Sequence, residues 1–185
     1  MVRCTAIPLI EGFEEIEAVC VIDILRRAGC EVRTVAMSAV TRAVRGSHGI
    51  VLEADLLWDE LDPREVEQLV VPGGQPGTDH LLADGRVAAL AKQLAAAGRP
   101  VGAICAAPLV LAAAGLLAGR AATSHPSVKQ KLGSARWTDE PVVASDGVTT
   151  SQGVGSAIAF ALELVAQRFG RARADELARA LVVRA

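Results

Sequence analysis

The segment Arg-Pro-Val-Gly-Ala-Ile-Cys-Ala-Ala-Pro, residues 99–108, decides the fold that we predict for this chain. Val101 to Ile104 form a short apolar run after a Gly-Arg-Pro turn, which is typical of a buried strand. Leu109 to Leu117 form an apolar, alanine-rich run that predicts a helix. Direct passage from a strand to a helix is typical of an α/β sheet. The residue at the corner, Cys105, is then expected to project from the sheet edge.

The neighbours of Cys105 are small, so the backbone can turn tightly at this position. The following helix would present free N–H groups and the positive end of its dipole to the corner, which favours a thiolate. We therefore interpret Cys105 as a candidate nucleophile. The alternative is a structural cysteine, because cysteine is often buried.

Composition and charge exclude several classes of protein. The chain has 185 residues, of which 51% are hydrophobic, and we expect one domain over residues 1–185. The net charge is −2, so no strong basic field attracts nucleic acid or an anionic membrane surface. Aromatic residues make up only 3%, which argues against base-stacking platforms. No apolar run is long enough to span a membrane.

The amino-terminal sequence and the cysteines predict a cytoplasmic protein without a metal or a disulfide framework. Four glutamates between positions 11 and 17 come too early for a signal peptide. The cysteines are Cys4, Cys20, Cys30 and Cys105. They form no CxxC pair, so neither a zinc site nor a dithiol redox motif is indicated. Cys4 and Cys20 fall in apolar patterns and are expected in the core, whereas Cys30 follows a glycine and could be exposed.

Strands and helices alternate along the whole sequence. Val2 to Leu9 predicts a first strand that is buried on both faces. Residues 16–28 predict a helix whose apolar positions are Ile16, Val19, Cys20, Ile24 and Leu25. Glu31 to Met37 predicts a second strand, and the three segments form a βαβ unit.

The remaining segments continue this alternation. Further strands are predicted at 50–52 within a short β-excursion, 66–71, 101–104, 121–124, 142–144 and 148–151, the last two joined by Asp146-Gly147 in a hairpin. Further helices are predicted at 79–82, 85–97, 109–117, 126–132, 157–169 and 174–183. This order predicts a three-layer α/β sandwich around a mostly parallel sheet.

Four groups of chemically suggestive residues follow predicted strands. They are Glu11 to Glu17, Gly73-Gly74, Cys105 and Ser124-His125. Ligand sites in parallel sheets form at the carboxyl ends of the strands. We therefore expect these groups to form one site.

The glutamates at the start of the first helix differ in their predicted environment. Glu14 and Glu15 are expected at the surface, where a helix amino-terminus stabilises carboxylates. Glu17 lies between Ile16 and Ala18, about one turn into the helix, and could face the sheet edge instead. Near a thiol, burial and like charge would keep its carboxyl protonated. It could then donate a hydrogen bond to a thiolate and titrate with it as a coupled pair.

His125 is the other candidate acid or base, with a structural role as the alternative. His48 and His80 lie in predicted loops and are weaker candidates. Gly74 and Ala106 could each offer a backbone N–H to a developing oxyanion. An ordinary turn remains the alternative for the two glycines at 73 and 74.

Five blocks of sequence resemble signature blocks of the DJ-1/ThiJ/PfpI superfamily, and they occur in the family's order. They are Gly-Phe-Glu-Glu-Ile-Glu at 12–17, Val-Pro-Gly-Gly at 71–74, Ala-Ile-Cys-Ala-Ala-Pro at 103–108, Ser-His-Pro at 124–126 and Thr-Ser-Gln-Gly at 150–153. The combination is most similar to the DJ-1 and YajL branch. The resemblance implies a flavodoxin-like sandwich and a homodimer in which the first helix packs across a two-fold axis.

The resemblance also implies roles for individual residues. Cys105 would be the reactive, easily oxidised nucleophile, Glu17 the protonated acid beside it, and His125 a neighbour in the pocket. Gly74 and Ala106 would supply backbone N–H groups.

Other positions bear on the dimer or depart from the family pattern. Arg27 matches a family arginine that reaches the partner's site. His48 stands where DJ-1 has an arginine, so we expect weaker or pH-dependent anion binding. Val154 replaces a proline, and a peripheral cysteine of the β-excursion is absent.

The implied function is a cysteine-dependent glyoxalase or deglycase that needs no metal or organic cofactor. It would convert methylglyoxal, glyoxal or their early adducts to 2-hydroxy acids. One alternative is a redox-sensing stress protein or chaperone in which Cys105 is oxidised to a sulfinate. A PfpI-type peptidase is less favoured, because that branch has a histidine directly after the cysteine and this chain has Ala106.

Overall fold

The computed structural model describes residues 3–184, in which strands and helices alternate. The strands are β1 (Cys4–Leu9), β2 (Val32–Ala36), β3 (Ala43–Arg45), β4 (Val51–Glu53), β5 (Leu56–Leu57), β6 (Val66–Val71), β7 (Val101–Ile104), β8 (Ala121–Ala122), β9 (Arg136–Trp137), β10 (Val142–Ser145) and β11 (Val148–Ser151). The helices are α1 (Glu15–Ala28), α2 (Gly77–Asp84), α3 (Arg86–Ala96), α4 (Pro108–Ala113), α5 (Ala157–Phe169) and α6 (Arg171–Ala180). Short 3₁₀ helices occupy Trp58–Glu60, Pro126–Lys131 and Val154–Ser156.

Seven strands form the central sheet in the order β10-β11-β7-β6-β1-β2-β5. All neighbours are parallel except β10, which forms an antiparallel hairpin with β11. Helices α1, α5 and α6 cover one face, and α2, α3 and α4 cover the other. The predicted three-layer α/β sandwich is therefore confirmed. Among the described residues, no helix combines the length and the apolar character that a membrane crossing requires.

The central strands are apolar on both faces because helices cover both sides of the sheet. Every residue of β1 and of β7 is buried. Helix α1 ends at Gly29, whose φ of 96° lets its backbone N–H return to the last turn. β1 and β7 both pair in parallel with β6, so their carboxyl ends lie at the same edge of the sheet, where the site forms.

The side of helix α1 that is buried differs from the side that the sequence pattern predicts. Ile24 and Leu25 are buried as expected, but Ile16 is 57% exposed and Val19 is 46% exposed. Cys20 is only partly buried, so it is not a core residue. The reason is that α1 packs on the sheet through a neighbouring stripe that includes Ala18, Val21, Ile24 and Leu25.

The burial of one cysteine and the bounds of several elements also differ from the sequence predictions. Cys30 is buried rather than exposed, because the turn at Gly29 folds its N–H back onto the carbonyl of Leu25. The predicted helices 109–117 and 126–132 are shorter, the second being a 3₁₀ helix, and α6 begins earlier at Arg171. Val2, predicted in the first strand, lies outside the described residues.

The segment before His125 does not belong to the main sheet. β8 pairs in parallel with β9 in a separate two-stranded sheet. His125 therefore reaches the site from this flanking pair, not from the end of a central strand as the sequence suggested.

Candidate active site

Cys105 lies at a tight corner between β7 and α4. Its φ of 65° is in the left-handed region, which costs a residue with a side chain about 1–2 kcal/mol. Hydrogen bonds hold it there: its N–H donates to Ser151 O at 2.9 Å, and its carbonyl accepts from His125 N at 2.7 Å. The side chain is only partly buried. The sulfur is thus held rigidly and remains accessible to a small molecule.

Glu17 is the buried acid beside this corner, with no exposed surface. Its Oε2 accepts a hydrogen bond from Gly73 N at 2.9 Å. Its Oε1 is buried without a formed hydrogen bond to any described residue. The thiol of Cys105 lies close enough for the two groups to shift each other's pKa, although their geometry falls short of a formed hydrogen bond. The free oxygen is thus positioned to share a proton with the sulfur.

Burial is the largest influence on the pKa values of Glu17 and Cys105. It raises the pKa of Glu17 to about 7, against the hydrogen bond from Gly73 and the nearby Cys105 thiol, which lower it. Burial, followed by the negative charge of Glu17, raises the pKa of the Cys105 thiol to about 12. The expectation that the helix end alone would ionise the thiol is therefore wrong. A thiolate becomes favourable only when the proton lies on Glu17, because protonation removes the neighbouring charge.

Two backbone amides counteract the rise in the pKa of the Cys105 thiol. The N–H groups of Ala106 and Gly74 lie close enough to the Cys105 side chain to lower its pKa. The structure thus brings both predicted donors to the sulfur. An oxyanion formed by attack of that sulfur would develop beside the same two donors.

The two glycines at 73 and 74 are required by close packing and not only by a turn. A Cβ at Gly73 would lie 2.6 Å from Cys105 Cβ and 2.8 Å from Glu17 Oε2. Gly74 has a φ of 101°, and a Cβ there would lie 2.4 Å from Glu14 N. Any side chain at these positions would displace the site residues.

His125 is exposed and caps the 3₁₀ helix Pro126–Lys131. Its Nδ1 accepts from Ser127 N at 3.3 Å and lies 2.7 Å from Ser127 Oγ. Because a backbone N–H can only donate, we assign Nδ1 as an acceptor, and the neutral ring carries its proton on Nε2. His125 is therefore arranged as a hydrogen-bond donor at Nε2 rather than as a base.

Gly153 shows how closely the three predicted side chains approach one another. A Cβ built at Gly153 would lie 3.8 Å from Glu17 Oε1, 3.8 Å from His125 Cδ2 and 3.9 Å from Cys105 Sγ. These groups share a cleft of about 540 Å³, whose other lining includes Glu14, Gln152 and Val154. The cleft has room for a small substrate above the sulfur.

Glu14 and Glu15 lie in a different environment from the one that their sequence positions predict. Both are buried, at 7% and 3% exposure, rather than at the surface. Glu14 caps α1, since its Oε2 accepts from Glu17 N at 2.7 Å. No feature of the sequence at these two adjacent glutamates distinguishes a buried carboxylate from an exposed one.

Glu15 anchors the loop between β3 and β4. Its Oε1 accepts from His48 N at 2.6 Å, and its Oε2 lies 3.0 Å from His48 Nδ1. Burial alone would raise the pKa of Glu15, but the hydrogen bonds from His48 and from backbone amides lower it to about 2. Glu14, Glu15 and His48 bring three potential metal-ligand atoms within 4.8 Å of one another. Glu15 and His48 already satisfy each other, so we treat this group as an ion pair that anchors a loop.

The remaining candidates lie away from the sulfur of this chain. Arg27 is in the last turn of α1, about 15 Å along the helix from Glu17, and pairs with Asp23 at 2.7 Å. His80 lies in α2, where its Nδ1 contacts Glu11 O at 2.9 Å. Within one chain, neither residue joins the site.

Comparison with known proteins matches this fold and these motifs. The model of the DJ-1/PfpI family matches residues 4–167. Protein DJ-1 homolog A of Arabidopsis thaliana is 36% identical over 178 residues, which are 96% of this chain but 45% of that protein. The chain thus spans less than half the length of this relative.

Two further matches extend over nearly the whole of both proteins. Glutathione-independent glyoxalase DJR-1.2 of Caenorhabditis elegans is 35% identical over 173 residues, covering 92% of this chain and 91% of that protein. The crystal structure of Drosophila melanogaster DJ-1beta is 32% identical, with a TM-score of 0.91 and 100% coverage of both chains. The chain therefore belongs to the DJ-1/PfpI family.

Proposed function

We propose that this protein is a cytoplasmic, cysteine-dependent glyoxalase that converts small α-oxoaldehydes to 2-hydroxy acids without glutathione. The observation that carries the proposal is the partly exposed Cys105 sulfur, flanked by the free oxygen of Glu17 and two backbone N–H donors. Such an arrangement supplies a nucleophile, an acid and an oxyanion site. The similarity to a glyoxalase from Caenorhabditis elegans supports the same reaction class.

The first step is nucleophilic addition. With the proton on Glu17, the Cys105 thiolate attacks the aldehyde carbon, a C–S bond forms, and the carbonyl electrons move to oxygen. The N–H groups of Gly74 and Ala106 stabilise that oxyanion, and Glu17 protonates it to give a hemithioacetal. The Nε2–H of His125 is available to the neighbouring ketone oxygen.

The second step moves a proton between adjacent carbons. Glu17, now a carboxylate, takes the proton from the former aldehyde carbon and returns it to the adjacent carbon, while the hydroxyl proton of the first carbon passes to the adjacent oxygen. The product is a 2-hydroxy acid thioester of Cys105. Water then cleaves the C–S bond and releases lactate from methylglyoxal or glycolate from glyoxal. One water is added overall, so no external oxidant or reductant is needed.

Incubation of the purified protein with methylglyoxal tests this function directly. We expect lactate from the wild type and none above the buffer rate from Cys105→Ala. Cys20→Ala is the matched control, because Cys20 is a partly buried cysteine on α1 outside the cleft. Wild-type protein that makes no lactate would contradict the proposal.

Activity on early aldehyde adducts extends the same chemistry. Such adducts are hemithioacetals or hemiaminals of the same aldehyde carbon, and Cys105 would form its C–S bond there as the adduct's thiol or amine leaves with a proton. We propose that preformed adducts of methylglyoxal are substrates. An aldehyde scavenger added in excess should leave adduct turnover intact. If the scavenger abolishes turnover, the protein acts on free aldehyde alone.

A redox-sensing function is a second candidate, because the same contacts suit an oxidised sulfur. Glu17 Oε1, when protonated, could donate a hydrogen bond to a Cys105 sulfinate. Peroxide titration with mass spectrometry would reveal a two-oxygen product at Cys105. This candidate is favoured if oxidation occurs readily and lactate formation is absent. Ala106 leaves no histidine beside Cys105, so we do not propose a PfpI-type peptidase.

We also propose that the protein acts as a homodimer. Ile16 and Val19 on α1 lie exposed beside Ile50, which is 56% exposed, and they line an apolar hollow. Exposed apolar surface of this kind is typical of protein interfaces. A two-fold axis through this surface would carry Arg27 towards the partner, in agreement with the resemblance.

A further inference from the structure

Glu14 connects the elements that surround the shared proton. Its Oε2 accepts a hydrogen bond from Glu17 N at 2.7 Å. Its own N–H donates to Gly73 O at 2.9 Å, and the N–H of the same Gly73 donates to Glu17 Oε2. These three hydrogen bonds join the first turn of α1 to the corner at Gly73. The Glu14 side chain therefore holds the backbone from which the Glu17 carboxyl projects towards Gly73.

The charge of Glu14 acts on the same group. Glu14 is 7% exposed and lines the cleft with Glu17 and Cys105. After burial, its negative charge is one of the causes that raise the pKa of Glu17. In a poorly solvated site, a nearby like charge favours the protonated form.

Titratable groups from four elements surround these two carboxyls. They are Glu15 on α1, His48 on the β3–β4 loop, Cys105 at the corner and His125 on the 3₁₀ helix. His48 Nδ1 lies 4.0 Å from Glu14 Oε1 but 3.0 Å from Glu15 Oε2. His48 thus pairs with Glu15, and Glu14 keeps an oxygen without a close cationic partner among these groups.

We propose that Glu14 is a positioning residue that fixes the Glu17 carboxyl at the Gly73 corner and, through its charge, retains the proton that Glu17 and Cys105 share. The inference concerns the site of the proposed function. Its test, however, needs no turnover, because ionisation of Glu17 is measured directly. Failure of glyoxalase activity and failure of this inference therefore have separate readouts.

The experiment uses two variants of Glu14 that separate charge from hydrogen bonding. In Glu14→Gln the amide oxygen still accepts from Glu17 N, but the charge is lost. In Glu14→Asp the charge remains, but the shorter side chain weakens the hydrogen bond. The infrared carbonyl band of the protonated Glu17 carboxyl is followed against pH, and the signal of the same variant carrying Glu17→Gln is subtracted. This subtraction removes the other carboxyl groups.

We expect Glu14→Gln to lower the midpoint of Glu17 ionisation by about half a pH unit, because the like charge that favours the protonated carboxyl is gone. Glu14→Asp should keep a midpoint near that of the wild type while lowering the free energy of unfolding. Glu11→Gln is the control, since it removes the same charge from an exposed neighbouring position.

An unchanged midpoint in Glu14→Gln would overturn the proposal. So would an equal shift in Glu11→Gln, because the effect would then reflect net charge alone. If Glu14→Gln does not fold, Glu14→Asp decides. A fall of its midpoint despite the retained charge would contradict the charge effect, and a midpoint near that of the wild type would support it.

Discussion

Glu17 and Cys105 meet at one glycine: Glu17 Oε2 accepts a hydrogen bond from Gly73 N at 2.9 Å, and Cys105 Cβ packs against the same residue. The acid and the thiol can approach each other only because residue 73 has no side chain. The same contact buries the carboxyl, which raises the pKa of Glu17 to about 7. Packing at Gly73 thus sets the protonation of the site.

Gly73→Ala should disturb this contact directly. The new Cβ would lie 2.8 Å from Ile104 O as well as against Cys105 and Glu17. We expect a loss of about 1–3 kcal/mol in the free energy of unfolding from overpacking. We also expect about a 100-fold loss of kcat/KM from displacement of the acid. Chemical denaturation and lactate formation measure the two effects.

Gly155→Ala is the matched control for stability. Its Cβ would meet nothing within 4 Å, and its φ lies outside the left-handed region. The free energy of unfolding should stay near the wild-type value. Equal losses of stability in the two variants would contradict the steric explanation.

Glu17→Gln should change how stability depends on pH. The folded pKa of Glu17 is raised from 4.5 to about 7, so its contribution to stability is full below pH 4.5 and is lost as the pH rises through 7. The difference across this window is about 3 kcal/mol. The variant should lack this decline, and denaturation between pH 4 and pH 8 measures it.

The same variant tests the role of Glu17 in catalysis. An amide cannot exchange the proton that the proposed mechanism requires, so we expect kcat to fall by about 10²–10⁴-fold. A Glu17→Gln variant with wild-type turnover would show that another group moves the proton. If the curves of stability against pH run parallel for the wild type and the variant, folding does not raise the pKa of Glu17.

Glu15→Ala should release the loop between β3 and β4. The folded pKa of Glu15 is lowered to about 2, so its stabilising effect is present above pH 4.5 and is lost as the pH falls through 2. We expect faster hydrogen exchange at the amide of His48 in the variant, because Glu15 Oε1 accepts from it at 2.6 Å. The amide of Leu9, in the fully buried β1, should be unaffected. Unchanged hydrogen exchange at the His48 amide would contradict the proposal that Glu15 anchors this loop.

Val19→Lys should dissociate the proposed homodimer. The lysine would place a charge in the apolar surface while remaining compatible with the helix, since Glu15 and Asp23 lie four residues away on either side. Light scattering should show a dimer for the wild type and a monomer for the variant. Val40→Lys is the control, because Val40 is 89% exposed and does not line the apolar hollow. A wild-type monomer at micromolar concentration would contradict the dimer.

Much of the fold followed from local patterns. β6 and α5 have the predicted bounds, and the Asp146-Gly147 hairpin forms as expected. Buried strands and capped helices carry strong local signals, so their order predicted the three-layer sandwich. The environment of α1 was not predictable in the same way. Its apolar residues occupy two sides, and only the packing partners decide that Ile16 and Val19 stay exposed.

The sequence by itself determined the strand–helix corner at Cys105, the glycines that meet it and an acid one turn into α1. These features depend on residue type and on spacing along the chain. Tertiary structure alone decided that Glu14 and Glu15 are buried, that His125 donates rather than accepts at Nε2, and that the thiol keeps its proton. The physical reason is that pKa values and tautomers depend on desolvation and on hydrogen-bond partners from distant segments, which no local pattern specifies.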